Sequence, residues 1–343
     1  MKTAIVILNW NGIAFLQKYL SSLCANTPQE DSAIIIADNG STDGSIEWVE
    51  RNFPAMQIIK FNCNYGFTGG YNRAMSQIEA EYYILLNSDI KVPNSTATFN
   101  WLHPLVKFMD TTPHAGICQP KLLSEARPTF FEYAGACGGF IDKYGFPFCR
   151  GRILSCAEED KGQYNTPMQV FWASGACMII RSSLWKALGG LDESFFAHME
   201  EIDLCWRAQL YGYEVWAIPQ SHVFHVGGGT LPNNSPRKLY FNYRNNLLML
   251  YKNLPLTNSR NIFIFKRMCI DGLSGIAYIL QGKFSYFKAV LNAHKDFRKM
   301  KKEAKVTLLQ PHFKNISPRK PIGIYNKSII AKFFTGKRTF EKL

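Results

Sequence analysis

The first part of the chain repeats one pattern: a short apolar run, a polar stretch, and then a segment with apolar residues at helical spacing. The apolar runs are TAIVIL (3–8), AIIIA (33–37), MQIIKF (56–61) and EYYILL (81–86). The segments 13–23, 45–52 and about 70–79 are predicted helices. Strands that alternate with helices form a parallel sheet covered on both faces. The sequence therefore predicts an α/β protein with a mostly parallel sheet.

Polar side chains stand at the carboxyl ends of these four predicted strands. They are Asn9, Asp38, Asn64 and Asp89. In an open α/β sheet, ligands bind in the crevice outside the carboxyl ends of the strands. Turn chemistry explains one polar strand end, but four in succession along one half of a sheet indicate a ligand-binding edge.

The second half of the chain is less regular. Residues 170–190 predict a strand, a short helix and a glycine stop, and 195–213 predict a helix. Acidic residues open that helix, where the positive end of the helix dipole favours them. Residues 214–219 predict a further strand, and 221–230 predict a glycine-rich loop with two histidines.

Positive charge is concentrated at the C-terminal end. From Lys252 onward there are 20 Lys and Arg against 4 Asp and Glu, whereas the preceding residues carry 19 against 22. A nearly neutral body with a basic tail indicates that the tail meets a polyanionic surface, either phospholipid head groups or nucleic acid. Nucleic acid is disfavoured because the tail contains no recognisable nucleic-acid-binding module.

The cysteines and the N-terminus both favour a cytosolic protein. The 9 cysteines are scattered and include no C-x-x-C pair, so we expect reduced thiols rather than a disulfide framework or a zinc ribbon. The first apolar run becomes polar at Asn9, so we expect a first strand rather than a signal peptide. The sequence contains no run of about 18 uninterrupted apolar residues, so no segment is predicted to span a membrane.

Eight stretches follow one another along the chain: VILNWNG, ADNGSTDGS, NYGFTGGYNRA, LLNSD, GACMIIRSSLWKALGGLDESFF, EEIDLCWRAQLYGY, HVGGGT and YFNYRNNLLML. Taken in this order, they resemble the family 2 glycosyltransferases of the GT-A fold, in particular their rhamnosyltransferase-like branch. The resemblance implies a Rossmann-like, mostly parallel central sheet with helices on both faces. It implies a nucleotide-sugar-binding catalytic domain over 1–252 and a basic, partly apolar helical extension over 253–343.

The resemblance also implies a nucleotide site at the strand ends. In the family the pyrimidine base sits near Asn9 and Asp38, where a carboxylate can accept a hydrogen bond from the ring N–H. The glycine-rich segment at Asn64 and Gly66 precedes a helix, so its amides either face phosphate or ribose or form a structural turn. Arg244 matches a basic position that can hold a diphosphate. The implied nucleotide-binding residues are Asn9, Asn11, Asp38, Asn64, Gly66, Asn87 and Arg244.

A metal site is implied by the NSD stretch at 87–89, which occupies the family's D-x-D position. A divalent cation neutralises the departing diphosphate, and carboxylate oxygens bind it. Asp89 is the implied carboxylate ligand, and Asn87 replaces the first Asp of the motif. His225 matches a histidine that the family uses opposite this motif. The implied cofactor is Mn²⁺ or Mg²⁺, and imidazole suits Mn²⁺ better.

The acidic start of the predicted helix at 195–213 supplies the candidate base. Glycosyl transfer to an alcohol needs a group that takes the acceptor's proton. The position aligned with the family's Asp is Glu201, and Glu200 is the alternative. Asp203 and Arg207 are four residues apart, which favours a structural ion pair. The residues implied near the acceptor or the transferred sugar are Trp172, Gly175 and Ala176.

These assignments predict an inverting, metal-dependent glycosyltransferase. It would move a sugar from dTDP-rhamnose or a UDP-sugar to a hydroxyl of a lipid-linked or cell-surface glycan. The alternatives are a sugar-phosphate nucleotidyltransferase and an inactive sugar-nucleotide-binding homologue. The expected location is the cytoplasm, at the inner face of the cytoplasmic membrane. The stretch MCIDGLSGIAYIL (268–280), flanked by Lys and Arg, predicts either an interfacial segment in contact with the membrane or a helical pair packed on the catalytic domain.

Overall fold

A nine-stranded sheet forms the centre of the structure, a computed structural model that describes residues 1–28, 30–132, 135–227, 235–310 and 319–343. Its strands are β1 (Thr3–Asn9), β2 (Ser32–Asp38), β3 (Gln57–Lys60), β4 (Tyr82–Leu86), β5 (Ile90–Lys91), β6 (Ala115–Ser124), β11 (Met168–Gln169), β12 (Cys177–Arg181) and β13 (Glu214–His225). A second sheet is five-stranded within the same described residues, and four of its strands lie between β6 and β11 in sequence. It consists of β7 (Gly139–Asp142), β8 (Pro147–Cys149), β9 (Arg152–Ile153), β10 (Cys156–Ala157) and β14 (Ile324–Tyr325).

Helices connect and cover these strands. They are α1 (Ile13–Ala25), α2 (Ser45–Asn52), α3 (Gly66–Met75), α4 (His103–Thr111), α5 (Ser182–Leu188), α6 (Glu200–Leu210), α7 (Pro236–Asn253), α8 (Ser259–Leu280), α9 (Phe284–Met300) and α10 (Ile329–Phe334). Alternate residues of β1 face opposite sides of the sheet, so Ile5 and Ile7 pack with one set of helices and Ala4 and Val6 with the other.

The α/β prediction is confirmed, and the sheet is mixed rather than purely parallel. Strands β3, β2, β1 and β4 are parallel neighbours, as their helical connections require. Strand β12 then runs antiparallel to both β4 and β6, and β13 runs parallel to β6. The chain reaches β12 through the strands of the second sheet and not through a helical crossover, so nothing constrains it to be parallel.

Three predicted boundaries were wrong in the structure. The helix expected at about 70–79 is Gly66–Met75, and the helix expected at 195–213 is only Glu200–Leu210. It begins late because Phe196, His198 and Met199 have positive φ angles of 65°, 69° and 73°, which a helix excludes. The strand expected at 214–219 continues to His225, and residues 228–230 of the expected glycine-rich loop lie outside the described residues.

The C-terminal region packs on the rest of the chain. Helices α8 and α9 form an antiparallel hairpin, α9 packs on α7, and β14 pairs in parallel with β7. The Ile329 amide donates to Asp142 Oδ2 at 2.9 Å. Within the described residues, we find no helix whose length and apolar character would let it cross a bilayer.

A buried ionic network joins α6 to α7. Asp203 accepts hydrogen bonds from Arg207 Nε at 2.7 Å, Lys252 Nζ at 3.1 Å and Asn253 Nδ2 at 2.8 Å. Lys252 also binds Asp192 at 2.5 Å. The predicted Asp203–Arg207 ion pair is therefore confirmed, and it belongs to a larger network that fixes the helix that begins at Glu200.

We expect Lys252→Met to lower the free energy of unfolding by about 3–5 kcal/mol, because it removes the cation that two buried carboxylates share. Urea denaturation measures this change. The matched control is Lys299→Met, which breaks an exposed pair with Asp296 and should change the same quantity by less than about 1 kcal/mol. Equal effects of the two substitutions would contradict a stabilising role for the network.

Candidate active site

A cavity of ≈ 720 Å³ opens at the carboxyl ends of β1, β2 and β4. This volume is typical of small-molecule binding sites. On this side its wall comes from polar residues that follow the strands: Asn11, Asn39, Asn64, Asn87 and Asp89. The opposite wall comes from the start of α6, the end of β13, helix α7 and the second sheet. The structure thus brings Asn64 and Asp89, two of the four predicted polar strand ends, to one cavity.

Asn9 and Asp38 support this cavity from behind and are buried. Asn9 Nδ2 donates to Asp38 Oδ1 at 3.1 Å and to Ser45 Oγ at 2.8 Å, and Asp38 Oδ2 accepts from the Ser41 amide at 3.0 Å. Neither residue is among the described residues that line the cavity. They fix the loop after β2, and the next residue, Asn39, faces the cavity instead.

The glycine-rich segment before α3 forms a tight turn in the cavity wall. Asn64 Oδ1 accepts from the Gly66 amide at 2.8 Å and from Asn39 Nδ2 at 3.0 Å. Gly66 has a φ angle of +72°, and a Cβ atom there would lie 2.6 Å from the Phe196 ring. Glycine is therefore required at this position. Asn11, also at positive φ, accepts a hydrogen bond from the Thr42 amide at 2.8 Å.

A buried chain of three ionisable groups lies in the cavity wall. His225 Nε2 is 3.1 Å from Asp89 Oδ1, and His225 Nδ1 is 3.4 Å from Glu132 Oε2. Burial alone would lower the pKa of His225, but the two carboxylates raise this pKa to about 10. Burial alone would raise the pKa of Asp89, and the bond with His225 lowers it below its usual value. Asp89 is thus an anion and His225 a cation at neutral pH.

As an ion pair these groups are not a preassembled metal site, because a protonated imidazole cannot bind a metal; they fit a cation that would arrive with a diphosphate and displace the proton of His225. Asp89 would then offer a carboxylate and His225 an imidazole, and the Glu132 carboxylate lies 3.4 Å from the other ring nitrogen of His225. Among the described residues, no group of three or more His, Cys, Asp or Glu side chains converges on a point that could hold a metal. If Asp89 and His225 held a cation, they would leave its other coordination positions to oxygens of a bound ligand.

Two adjacent carboxylic acids begin α6 and line the cavity. Glu200 Oε2 and Glu201 Oε2 are buried, and neither has a hydrogen-bond partner among the described residues. Burial and the charge of Glu201 raise the pKa of Glu200 well above its usual value. Burial also raises the pKa of Glu201, to about 7, although backbone amides at the helix start and Lys238 oppose this. One carboxyl of the pair therefore keeps its proton at neutral pH and the other titrates near it.

Trp172, Gly175 and Ala176 line the cavity close to these acids. Trp172 Nε1 donates to the Phe140 carbonyl at 3.0 Å, which fixes the indole against the second sheet. A Cβ atom at Gly175 would lie 3.3 Å from the Phe67 ring and 3.6 Å from Glu201 Cβ, so this glycine packs close to both side chains. The Ala176 carbonyl accepts from the Asn87 amide at 2.9 Å and joins the two cavity walls.

The loop between Phe195 and Met199 is held by α7. Asn245 Nδ2 donates to three of its carbonyls: Phe195 at 3.0 Å, Ala197 at 2.7 Å and His198 at 2.7 Å. Arg244 donates to the Phe195 carbonyl at 2.9 Å, and the described residues that line the cavity do not include it. The structure therefore directs the Arg244 guanidinium to a carbonyl of this loop, and its diphosphate-binding role stays a prediction.

Residues 4–185 match the family model described as Glycosyl transferase family 2. The chain belongs to glycosyl transferase family 2. It is a glycosyltransferase with the expected GT-A fold, and this membership decides against the nucleotidyltransferase alternative.

Two curated relatives are similar to this glycosyltransferase over most of their length. The N-acetylglucosaminyl-diphospho-decaprenol L-rhamnosyltransferase of Mycobacterium tuberculosis (strain CDC 1551 / Oshkosh) is 24% identical over 236 residues, 64% of this chain and 75% of that protein. The rhamnosyltransferase WbbL of Escherichia coli (strain K12) is 24% identical over 228 residues, 64% of this chain and 82% of that protein. The rhamnosyltransferase-like resemblance is therefore confirmed.

A solved structure shares the fold. The crystal structure of GalNAc-T7 with UDP, GalNAc and Mn²⁺ superposes with a TM-score of 0.54 and 15% identity over 78% of this chain. This glycosyltransferase spans about half (54%) of the length of that chain. At this identity the likeness concerns the fold alone.

Several cavity residues of this glycosyltransferase have no sequence signal that would have revealed them. Glu132 lies between two strands in an ordinary FFEYAG stretch, and Arg152 is on a two-residue strand. Lys238 is in the first turn of α7, where burial lowers its pKa below the usual value. His198 has a positive φ angle, and burial lowers its pKa to about 4, so it is a neutral imidazole. Only the fold assembles them.

We expect Asn245→Ala to lower the free energy of unfolding by about 1–3 kcal/mol, because three carbonyls lose a buried donor. Hydrogen exchange of the amides at 196–200 should accelerate in the same variant. The control Asn292→Ala, at an exposed position of α9, should leave both quantities unchanged. A variant with normal exchange in this loop would show that Asn245 does not hold it.

Proposed function

We propose that this glycosyltransferase is an inverting, cation-dependent enzyme that moves a sugar from a nucleoside diphosphate to a hydroxyl of a lipid-linked or cell-surface glycan. The observation that carries the proposal is the pairing of two sites in one cavity. The Asp89–His225 pair connects the strand-end wall to the end of β13, and the Glu200–Glu201 pair lines the same cavity at the start of α6. The first can meet a leaving diphosphate and the second an attacking hydroxyl.

The donor is proposed to be dTDP-rhamnose or a UDP-sugar. Two rhamnosyltransferases are among the relatives, and the structural neighbour holds UDP. The base and ribose are proposed to contact the strand-end wall, with Asn11, Asn64 and Asn87 as polar contacts. Trp10, which lines this part of the cavity and is 46% exposed, offers a ring for stacking. Asn9 and Asp38 are proposed to shape this wall from behind.

A divalent cation is proposed to bind with the donor at Asp89 and His225. It would supply positive charge at the diphosphate as the bond to the sugar breaks. The neighbour that contains Mn²⁺ together with UDP supports this choice of cofactor. Glu132 would orient the His225 ring from the other side. Asp89 and His225 are bonded to each other, so the pair would have to open, and His225 would have to release its proton to solvent, before the two side chains could hold a cation.

Glu201 is proposed to be the general base. Glu201 accepts the proton of the acceptor hydroxyl while that oxygen forms a bond to the anomeric carbon, and the electron pair of the breaking bond leaves with the diphosphate. A pKa near 7 suits a base that works at neutral pH. Glu200, with the higher pKa, stays protonated beside it and limits the charge that must be buried.

The domain division and the location are proposals of the same kind. Residues 1–252 are proposed to be the catalytic domain and 253–343 an extension, with the boundary next to the end of α7. Because one relative acts on a diphospho-decaprenol-linked sugar, the acceptor is proposed to be carried by a membrane lipid. The enzyme is then expected to work in the cytoplasm, at the inner face of the cytoplasmic membrane.

We expect the temperature of thermal unfolding to rise when Mn²⁺ is added together with dTDP or UDP, and to rise less with GDP or CMP. The reason is that a ligand of the folded state stabilises that state by mass action. Asp89→Asn should remove the Mn²⁺-dependent part of the shift. Asp43→Asn is a control that alters a carboxylate which binds the Ile13 amide near the same wall. No shift with any nucleotide in folded protein would contradict the proposed donor site.

We expect kcat/KM to rise with pH and to level off above about 7, because only ionised Glu201 can accept the proton. Glu201→Gln should lose about 10²–10⁴-fold in kcat and the rising limb with it. Since the amide needs no buried charge, this variant should be at least as stable as the wild type at pH 8. A Glu201→Gln enzyme with the normal rate would reassign the base to Glu200.

A further inference from the structure

Helix α8 has two faces of opposite character. Its buried face carries Ile264, Arg267, Asp271 and Gly275. The other face carries large exposed apolar side chains at helical spacing, and we call them the α8 stripe: Ile262, Phe265, Leu273, Ile276 and Leu280. At 3.6 residues per turn these positions fall within an arc of roughly 80°, and the stripe is roughly 27 Å long. Leu280 is 84% exposed and Phe265 is 68% exposed.

The stripe continues onto the tip of the hairpin. A Cβ atom at Gly275 would lie 3.2 Å from the Phe287 ring, and His294 Nε2 is 3.6 Å from Asp271, so α9 packs on the buried side of α8. Phe284, at the start of α9, is 66% exposed. Large apolar side chains that are exposed together on one helix face indicate an interaction site.

The charge around the stripe is positive. The segment Ser259–Met300 has eight Lys and Arg against two Asp and no Glu. Asp271 is buried in a pair with Arg267 at 2.9 Å, so it does not reach this surface. Asp296 binds Tyr240 and Lys299. Exposed cations border the apolar residues on α8, at the turn and on α9: Lys266, Lys283, Lys288 and Lys295.

We propose that the α8 stripe docks on an anionic lipid surface, with its apolar side chains at the level of the acyl chains and the lysines at the head groups. An apolar face with basic flanks has the composition of helices that lie in the membrane interface. A second copy of this chain fits less well, because a two-fold contact through the stripe would bring the same cations together. The contact is one-sided, since the protein covers the opposite face of α8.

This docking places the cavity beside the bilayer. Arg267, on the buried face of α8, lines the cavity, donates to the Gly145 carbonyl at 3.1 Å and lies 3.5 Å above the Phe146 ring. Helix α8 therefore separates the cavity from the stripe by one helix diameter, about 10 Å. A lipid-borne acceptor in the same bilayer would meet this end of the cavity. The link to the acceptor rests on the proposed function, whereas the docking face does not.

The test is co-sedimentation of the full chain with vesicles of phosphatidylcholine, with and without phosphatidylglycerol, in the absence of sugar nucleotide. We expect binding to the anionic vesicles only, weakened by added salt because exposed charges are screened. Leu273→Glu should weaken it by about tenfold or more, because burial of a leucine is worth at least that factor. The matched control is Ile322→Glu, at a half-exposed apolar residue beside Gln209, which should bind like the wild type.

A second variant tests the charge. Lys283→Gln combined with Lys288→Gln should reduce the dependence on phosphatidylglycerol, and thermal unfolding should be unchanged because both residues are exposed. The proposal is overturned if the wild type stays in the supernatant with both vesicles, or if Leu273→Glu binds as tightly as Ile322→Glu. It is also overturned if the wild type is a dimer that Leu273→Glu converts to a monomer and neither binds vesicles. Because no donor or acceptor is present, these results are independent of the transferase proposal.

Discussion

The buried bond between Asp89 and His225 is the contact on which the arrangement of this site depends. Asp89 follows β4 and precedes β5, and His225 ends β13, which comes more than a hundred residues later. Strand β5 pairs with β13 so that Ile90 is opposite His225. The bond therefore joins the strand-end wall of the first half of the chain to the last strand of the sheet. A parallel half-sheet alone would leave Asp89 at an open edge.

The second constraint is the burial of carboxyl groups at the start of α6. A helix start provides free backbone amides, which favour ionised carboxylates, but burial and mutual repulsion raise both pKa values here. The positive φ angles of Phe196, His198 and Met199 prevent α6 from starting before Glu200. The ionic network of Asp203 with α7 then holds α6 in place. The acids are thus held at the cavity by contacts that play no part in chemistry themselves.

Part of the fold and of the site could be predicted from the sequence, because hydrophobic periodicity and polar residues at strand ends are local properties. Apolar runs with polar ends predicted the four parallel strands and the cavity edge at which Asn64 and Asp89 lie. Burial is not a local property. Asn9 and Asp38 end strands as the other polar residues do, yet their side chains are buried behind the cavity wall and are hydrogen-bonded to each other. The family resemblance predicted that Arg244 binds a diphosphate. In the structure its guanidinium donates to the Phe195 carbonyl, a loop atom that only the tertiary fold brings near. Glu132 reaches His225 from a loop with no motif of its own.

We propose that Asp89 and His225 would give up their mutual bond, and His225 its proton, to hold a cation that arrives with the donor diphosphate. Electron spin-echo spectroscopy of Mn²⁺ bound to the protein together with dTDP or UDP tests this most directly. The account predicts modulation from the nitrogen of one imidazole, and it predicts that His225→Gln removes this modulation. Tightly bound Mn²⁺–nucleotide without any nitrogen modulation in the wild type would contradict it, and the His225–Asp89 pair would then be a structural ion pair.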